Sequence, residues 1–523
     1  MRLHDYIEYH ARNQPEATFA EIKGPEGNNT ISYFDANQRA NQMARALLSG
    51  ELSRGDRFAY LSRNSIDMVL MYFAAAKAGV IPVPLNYRLA PREWLYILND
   101  AGAKMLVADA EYIESVHNIH NELIHAKEFV SINGSVDNWQ EHEAWVGRQA
   151  GDNLALDIKD SDQLYQMYTS GTTGLPKGVM ISHYAICNNL GMAERAMNLR
   201  QSAERILIAM PLFHAGAGVV AMLGVSVGAT LIVHKDFDPV ATVDSLIEDE
   251  ITLGMLVPAM VQACLVSVPD IKSLKFPSLR LMLYGASAIA EKTLREAMNV
   301  FACGFVQIFG MTETSAASTY LSVEDHKKAL AGQPDLLMSA GRCVLGVEVR
   351  IVDENDNELP RGMIGEIAIK GPHLMTGYWN MEQATLETLK GGWMHTGDAA
   401  TMNEEGYIFI QDRIKDMIVS GAENVYPREV ENALFEHPDI ADAAVIGIPS
   451  EKWGETILAF VVLREGKSPT ASELVEFARE RLAGYKLPRQ FEFIDELPRN
   501  ASGKVLKKDL REPYWKGIAR RVG

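Results

Sequence analysis

The sequence predicts an α/β protein. Open parallel-type sheets take up most of the chain, a small antiparallel sheet or barrel follows, and a compact α+β unit ends it. Three observations lead there. Up to about residue 340, short β-branched runs alternate with amphipathic helical stretches, the rhythm of βα units in a parallel sheet. From about Gly341 apolar residues recur at every second position and Gly or Pro separates the runs, as in antiparallel strands. The chain has 523 residues, too many for one ordinary core, so at least two domains are expected.

The elements follow in order. Residues 1–10 carry charges where a signal peptide needs an apolar run. Residues 67–77 read as a helix, and residues 80–85 as a short buried strand. Residues 205–210 and 229–234 read as strands. The longest apolar stretch, 219–233, is interrupted by Gly224, Ser226 and Gly228. It falls short of the roughly 20 residues needed to cross a bilayer. Residues 347–352 and 365–370 alternate with period two. Charges cluster over 412–416 with no apolar periodicity, so a domain boundary is placed at 411–416. Beyond it, Pro427 opens a helix at a first-turn position with acids near the positive end of the dipole. Residues 457–463 form a strand and 472–482 an amphipathic helix.

Hydrophobic residues make up 47% of the chain and charged residues 23%, the balance of an ordinary soluble protein. A formal charge of −18 argues against a nucleic-acid partner, which needs a basic face. An anionic substrate must then be met by local positive charge. Cys187, Cys264, Cys303 and Cys343 are scattered and form no CxxC pair, which fits a reducing compartment without a structural metal. A cytoplasmic enzyme is expected.

The most informative segment is 168–179. It puts three glycines, four Ser/Thr hydroxyls and Lys177 into one short loop. Glycines let backbone N–H groups turn inward around an anion, hydroxyls add donors, and Lys177 adds a mobile cation. This is a polyphosphate grip. It is not a Walker A loop, because Gly178 follows Lys177 where Ser or Thr would hold magnesium. Other signals are weaker. His117, His120 and His125 suggest a metal, but they read as a solvated helix face without the HExxH pattern. Gly216 and Gly218 imitate a dinucleotide fingerprint, with Asp236 at a plausible distance. However, residues 211–215 separate them from the preceding strand. Gly466-Lys467-Ser468 reads as a surface turn.

Five further segments join the loop. Residues 307–314 put Glu313 beside hydroxyls after a strand-like run. Residues 393–398 offer Asp398 behind a tight turn. Residues 412–416 sit at the boundary, 420–427 follow, and 498–504 present Lys504 on a polar loop. Together and in this order, these segments resemble the adenylate-forming superfamily of acyl-CoA synthetases, nonribosomal adenylation domains and luciferases. In texture they are nearest the bacterial fatty-acyl and aryl-acid CoA ligases.

The resemblance implies a large N-terminal domain of αβα sheets (1–411, with a β-rich, barrel-like subdomain over about 341–411). A hinge at 412–416 and a small mobile α+β domain at 417–523 would follow. It implies two steps, an acyl-adenylate formed from ATP and then a thioester formed with coenzyme A, with Mg²⁺ as cofactor. Thr169, Ser170, Gly171, Thr172, Thr173, Gly174 and Lys177 would hold the β- and γ-phosphates. Glu313 would hold Mg²⁺, and Thr312 would contact the α-phosphate. Asp398 would accept both ribose hydroxyls, and Arg413 would support ribose and phosphate. Gly285, Ala286 and Ser287 would wall the adenine. Gln307, Phe309, Gly310, Met311 and Asn424 complete the nucleotide set.

Lys504 would neutralise carboxylate and α-phosphate during adenylation. It makes up the expected catalytic set with Thr312, Glu313 and His214. Lys504 fills the site in step one, so the small domain must rotate, about Lys415, to admit the thiol in step two. Ser420, Gly421, Ala422 and Trp453 would then meet coenzyme A. Many relatives carry Gly where Ala422 stands, so the tightness of that passage is in question.

His214, Ala215, Ile308, Gly310 and Met311 would line the acyl pocket. No acid follows Phe213 where amino-acid-activating relatives carry Asp, so an amino-acid substrate is not expected. Branched Ile308 should shorten the pocket, favouring a short-chain, medium-chain or aryl acid, although simple core packing explains the residue equally well. The chain ends 19 residues after Lys504, which leaves no room for a carrier domain and favours free CoA. Two rivals remain. One is an adenylating enzyme that delivers to a carrier protein, and the other is a relative that has lost catalysis. No nucleic-acid partner or membrane span is expected, and homodimer formation is left open.

Overall fold

The computed structural model describes residues 1–516 apart from 25–26, 51, 170–174, 288, 421–422, 451 and 500–504. It is a mixed α/β molecule with a large N-terminal domain and a smaller C-terminal one. The largest sheet runs in the order Arg342–Cys343, Thr319–Leu321, Gly304–Phe309, Leu281–Gly285, Leu253–Met255, Arg205–Ile208, Thr230–Val233, Thr18–Gly24, Gly27–Ser32. From Gly304–Phe309 to Thr18–Gly24 every neighbour is parallel. A second, all-parallel sheet joins Ile81–Pro84, Arg57–Leu61, Met105–Asp109, Glu128–Ile132 and Gln140–Glu141.

Two helices show why these sheets stack. Ile66–Ala78 is buried almost throughout, including the aliphatic stem of Lys77. Ser65 caps it by accepting from Met68 N–H, and Gly79 at φ 70° stops it. Ala215–Ser226 is likewise apolar all round. A helix without a polar face must be covered on every side. Both lie in the core cluster that also takes side chains from the two large sheets.

Gly216 and Gly218 therefore sit inside a buried helix rather than in a phosphate-binding turn. A Cβ on Gly218 would come within 3.3 Å of the Leu212 carbonyl oxygen, so close packing accounts for that glycine.

A three-stranded antiparallel sheet of Gly377–Tyr378, Lys177–Ser182 and Gln163–Thr169 bridges to the β-rich region. There, Glu348–Val352, Gly365–Lys370, Met394–Met402 and Ile408–Arg413 form a four-stranded antiparallel sheet, the sheet rather than the barrel of the two expected forms. The tight turn expected before Asp398 is also absent. Residues 394–402 are continuous strand, with Gly397 at φ 71° and register shifts in both pairings of that strand. Thr396-Gly397 is a bulge within a strand, a role glycine serves as readily as a turn.

The C-terminal sheet joins Glu423–Val425, Ile418–Ser420, Gly454–Leu463 and Ile440–Ser450, with Gln490–Phe493 parallel to Gly454–Leu463. Helices Pro427–Phe435, Ala471–Arg479 and Lys507–Trp515 accompany it. Its two core clusters draw only on residues 418–514.

Candidate active site

The strands Gln163–Thr169 and Lys177–Ser182 are paired up to Thr169 opposite Lys177. The glycine-and-threonine loop is therefore closed at its base by the sheet. Ser170, Gly171, Thr172, Thr173 and Gly174 lie outside the described residues. Tyr168, just before them, is anchored by donating its hydroxyl to Asp100 at 2.6 Å. Lys177 places its ammonium 4.7 Å from the centre of the Tyr378 ring, on the strand paired with its own.

The parallel strands Leu281–Gly285 and Gly304–Phe309 end together, with Gly285 opposite Ile308. Carboxyl ends of parallel strands are where open α/β sheets place ligands. Two glycines there are fixed by contact. A Cβ on Gly285 would stand 2.2 Å from the Ile308 carbonyl oxygen, and one on Gly310 would stand 2.4 Å from that of Ala316. Ala286 follows at φ 64°, exposed beside half-buried Ser287. Gln307 Oε1 is buried without a hydrogen bond among the described residues.

After Gly310 the chain tightens into the turn Thr312–Thr314. Thr314 Oγ1 accepts from Met311 N–H at 2.9 Å and donates to Met311 C=O at 3.1 Å. Ser315 and Ala316 leave the turn at φ 51° and 81°. This turn directs Glu313 inward, where it is 7% exposed. Its backbone carbonyl accepts from Met375 N–H at 2.8 Å, and its Oε1 accepts from the Tyr378 hydroxyl at 2.9 Å. Burial, and next the charge of Glu313, push the Tyr378 phenol above its usual range.

Asp398 and Arg413 face each other in register on neighbouring strands, with Nε 2.8 Å from Oδ1. Arg413 Nη1 also donates to the Thr396 carbonyl at 2.9 Å. Tyr378 therefore links the Lys177 hairpin to Glu313. A cation and an acid fit for a hard metal meet at its ring and hydroxyl, while Asp398, a carboxylate with two acceptor oxygens, is held by Arg413.

His214 precedes helix Ala215–Ser226, its ring 4.4 Å from that of Phe213. Its Nε2 is buried without a hydrogen bond among the described residues. Burial, aided by the charge of Arg88, pushes the imidazole down to about 4, so it is neutral at pH 7. Ala215 and Ile308, each 8% exposed, belong to one buried cluster with Phe213 and Met255.

In the C-terminal domain, Ser420 is buried and accepts from Arg489 Nη1 at 3.4 Å. The Arg489 guanidinium lies 4.3 Å from the centre of the Trp453 ring, joining two of the residues expected near coenzyme A. Lys415 lies in the turn Ile414–Asp416. Asn424 is exposed opposite Val419 and lines a groove with Ile364, Gln411 and Lys486. Lys504, Gly421 and Ala422 fall outside the described residues. His117 and His120 pack against Trp139 and Phe129. The metal-like group among the described residues is instead Asp67, His142 and Glu143, where Arg39 already pairs with both carboxylates.

Residues 7–379 match the family described as AMP-binding enzyme, and residues 429–504 match its C-terminal domain. The chain is 36% identical over 520 residues to the fatty acid–[acyl-carrier-protein] ligase ScoC of Streptomyces coeruleorubidus, covering 98% of this chain and 96% of that protein. It is 36% identical over 517 residues to the indoleacetate–CoA ligase of Aromatoleum aromaticum, covering 98% of each. Its fold is similar to ATP-bound MatB from Rhodopseudomonas palustris, with a TM-score of 0.88, 28% identity, and 99% and 100% of the two chains covered. The chain belongs to the AMP-binding enzyme family.

Proposed function

We propose that this protein ligates a hydrophobic carboxylic acid to coenzyme A at the expense of ATP, forming acyl-adenylate and pyrophosphate first and acyl-CoA and AMP second. The observation that carries this reading is the meeting of Lys177 and Glu313 at Tyr378, beside a buried Asp398 held by Arg413 across neighbouring strands, in a chain of this family. In this reading residues 1–411 form the adenylating domain, 412–416 the hinge and 417–523 the small domain.

The chemistry explains the residues. A carboxylate is a poor electrophile, so its oxygen first attacks the α-phosphorus, pyrophosphate leaves, and the mixed anhydride carries a good leaving group. Two anions must approach each other in that step, so fixed positive charge and preorganised donors lower its barrier. Lys177 and the 170–174 loop would hold the departing pyrophosphate. Thr312 would bind the α-phosphate, Asp398 the ribose and Lys504 the attacking carboxylate.

The buried oxygen donors of Glu313 fit a magnesium ion, which would shield the β- and γ-phosphate charge. In the second step the thiol sulfur attacks the acyl carbon and AMP leaves. Ser420, Gly421, Ala422 and Trp453 would line its approach once the small domain has turned on Lys415. Neutral His214, with Ala215, Ile308, Gly310 and Met311, would border the acid. Among the described residues no helix is long and apolar enough to cross a membrane. We place the enzyme in the cytoplasm, where ATP and free CoA are found.

One relative transfers to an acyl-carrier protein, so a carrier acceptor is the second reading. An AMP-release screen over straight-chain and aromatic acids, with and without CoA, separates the two. CoA-dependent AMP release supports the ligase, while pyrophosphate release without it favours the carrier. Lys504→Ala should slow adenylation by about 10²–10³-fold, the scale of a lost preorganised contact. It should spare thioester formation from supplied acyl-adenylate. Equal loss in both half-reactions would contradict the two-conformation scheme.

A further inference from the structure

Tyr378 touches two groups that the reaction needs charged and unpaired with each other. Its hydroxyl donates to Glu313 Oε1 at 2.9 Å, and its ring lies 4.7 Å from the Lys177 ammonium. No ion pair joins Lys177 to Glu313 directly, although Tyr378 contacts both.

We propose that Tyr378 is a positioning residue that holds Glu313 ready for a divalent cation and keeps Lys177 apart from it. The proposal rests on the reading of Glu313 as metal ligand and Lys177 as phosphate ligand. A buried carboxylate beside a mobile ammonium forms an ion pair unless something intervenes, because attraction grows as the dielectric falls. Such a pair would neutralise both groups before the nucleotide arrives. The phenol prevents it with two different contacts. The hydroxyl satisfies one oxygen of Glu313 and adds no charge, so the other oxygen is left to face the metal. The ring face holds the ammonium by cation–π attraction, an interaction weak enough to give way to a phosphate.

The backbone fixes the phenol in place. Tyr378 pairs with Val179, two residues after Lys177, on the same sheet. Its N–H donates to Thr385 Oγ1 at 2.9 Å. Preceding Gly377 adopts φ 152°, and the neighbouring Trp379 is tied to the Asp100 carbonyl by its indole N–H at 2.8 Å. The ring cannot leave without opening that strand.

The test uses Mn²⁺ as probe, titrated by electron paramagnetic resonance into the full-length enzyme saturated with a non-hydrolysable ATP analogue. Tyr378→Phe keeps the ring and loses the hydroxyl. It should weaken Mn²⁺ about tenfold, as expected for a lost hydrogen bond to a charged group, and leave metal-free nucleotide affinity within twofold. Tyr378→Leu loses both contacts and should weaken Mn²⁺ and nucleotide together, because Lys177 then pairs with Glu313. Adding Lys177→Met to Tyr378→Leu should recover Mn²⁺ affinity, an outcome that a merely structural tyrosine would not produce.

Thermal melting checks that each variant is folded, and Glu313→Gln is the control. If Glu313→Gln loses Mn²⁺ but Tyr378→Phe binds it like wild type, the positioning role is overturned and the site reading stands. If Glu313→Gln binds Mn²⁺ normally, both fall. Failure of Lys177→Met to rescue Tyr378→Leu removes the separating role.

Discussion

Arg413 Nε lies 2.8 Å from Asp398 Oδ1 across two antiparallel strands, and the same guanidinium donates to the Thr396 carbonyl at 2.9 Å. Asp398 is 6% exposed, so this cation faces a carboxylate largely removed from water. Arg413→Met should raise the KM for ATP in the pyrophosphate-exchange reaction by about 10–100-fold, the worth of a charged hydrogen bond. Arg413→Lys should restore only part of it, since an ammonium cannot grip both Asp398 and Thr396 with fixed geometry. Unchanged ATP dependence in Arg413→Met would detach the pair from nucleotide binding.

Much of this arrangement was legible in the sequence wherever chemistry and local geometry coincide. The segment before Lys177 could be singled out as a candidate anion grip because its glycines, hydroxyls and Lys177 are contiguous. Glu313 could be read because a strand-like run ends just before it. Tyr378 could not, since within Gly377-Tyr378-Trp379 it reads as an ordinary strand aromatic and its partner is 65 positions away. Arg489 meets Ser420 across 69 positions and was missed for the same reason. Asp398 stands in a strand rather than behind the expected turn, because Gly397 at φ 71° serves a bulge as well as a turn. The open β-rich sheet shows the same limit. Alternation of period two predicts strands and faces, but whether the edges close depends on partners far away in sequence.

Lys507 gives a prediction about stability. Its ammonium lies 2.8 Å from Glu431 and 3.5 Å from Asp412, which lies in strand Ile408–Arg413. Burial opposes the charge of Lys507, yet Asp412, Glu431 and Asp416 together lift its pKa. Burial raises that of Glu431, and Lys507 counters it. Lys507→Met should cost about 3 kcal/mol at pH 7.5 by leaving a largely buried carboxylate without its cation. A carboxyl whose folded pKa is raised binds its proton in the folded state first, so lowering the pH to 5.5 should win back much of the loss. Urea unfolding at both pH values measures it, and an equal deficit at each would rule out Glu431 as the cause.

His214 makes the opposite prediction at acid pH. Its folded pKa is pushed down to about 4 from an ordinary value near 6.5. Between those values the unfolded chain binds a proton that the folded protein refuses, so stability falls as pH drops through that window. Over two pH units this amounts to about 2 kcal/mol. His214→Asn should therefore lose less stability than wild type between pH 6.5 and 4.5. Buried His373, also pushed down to about 4, should behave alike, and the double variant should flatten the curve further. Parallel pH curves for wild type and His214→Asn would mean that the imidazole is not refusing the proton.

Ile308 bears on which acid is taken. It is 8% exposed, shares a buried cluster with Phe213, Ala215 and Met255, and stands opposite Gly285 at the edge where the strands end. As the floor of an acyl pocket it would limit length, whereas as plain core it would only pack. Ile308→Ala costs stability in either case, about 2–5 kcal/mol, so melting temperature does not distinguish them. Substrate preference does. Removing the floor should shift the ratio of kcat/KM for a twelve-carbon over a six-carbon acid by at least about tenfold towards the longer, since each newly buried methylene contributes about 0.8 kcal/mol. The same chain-length ratio in wild type and variant would assign Ile308 to the core alone and leave the pocket's depth to other residues.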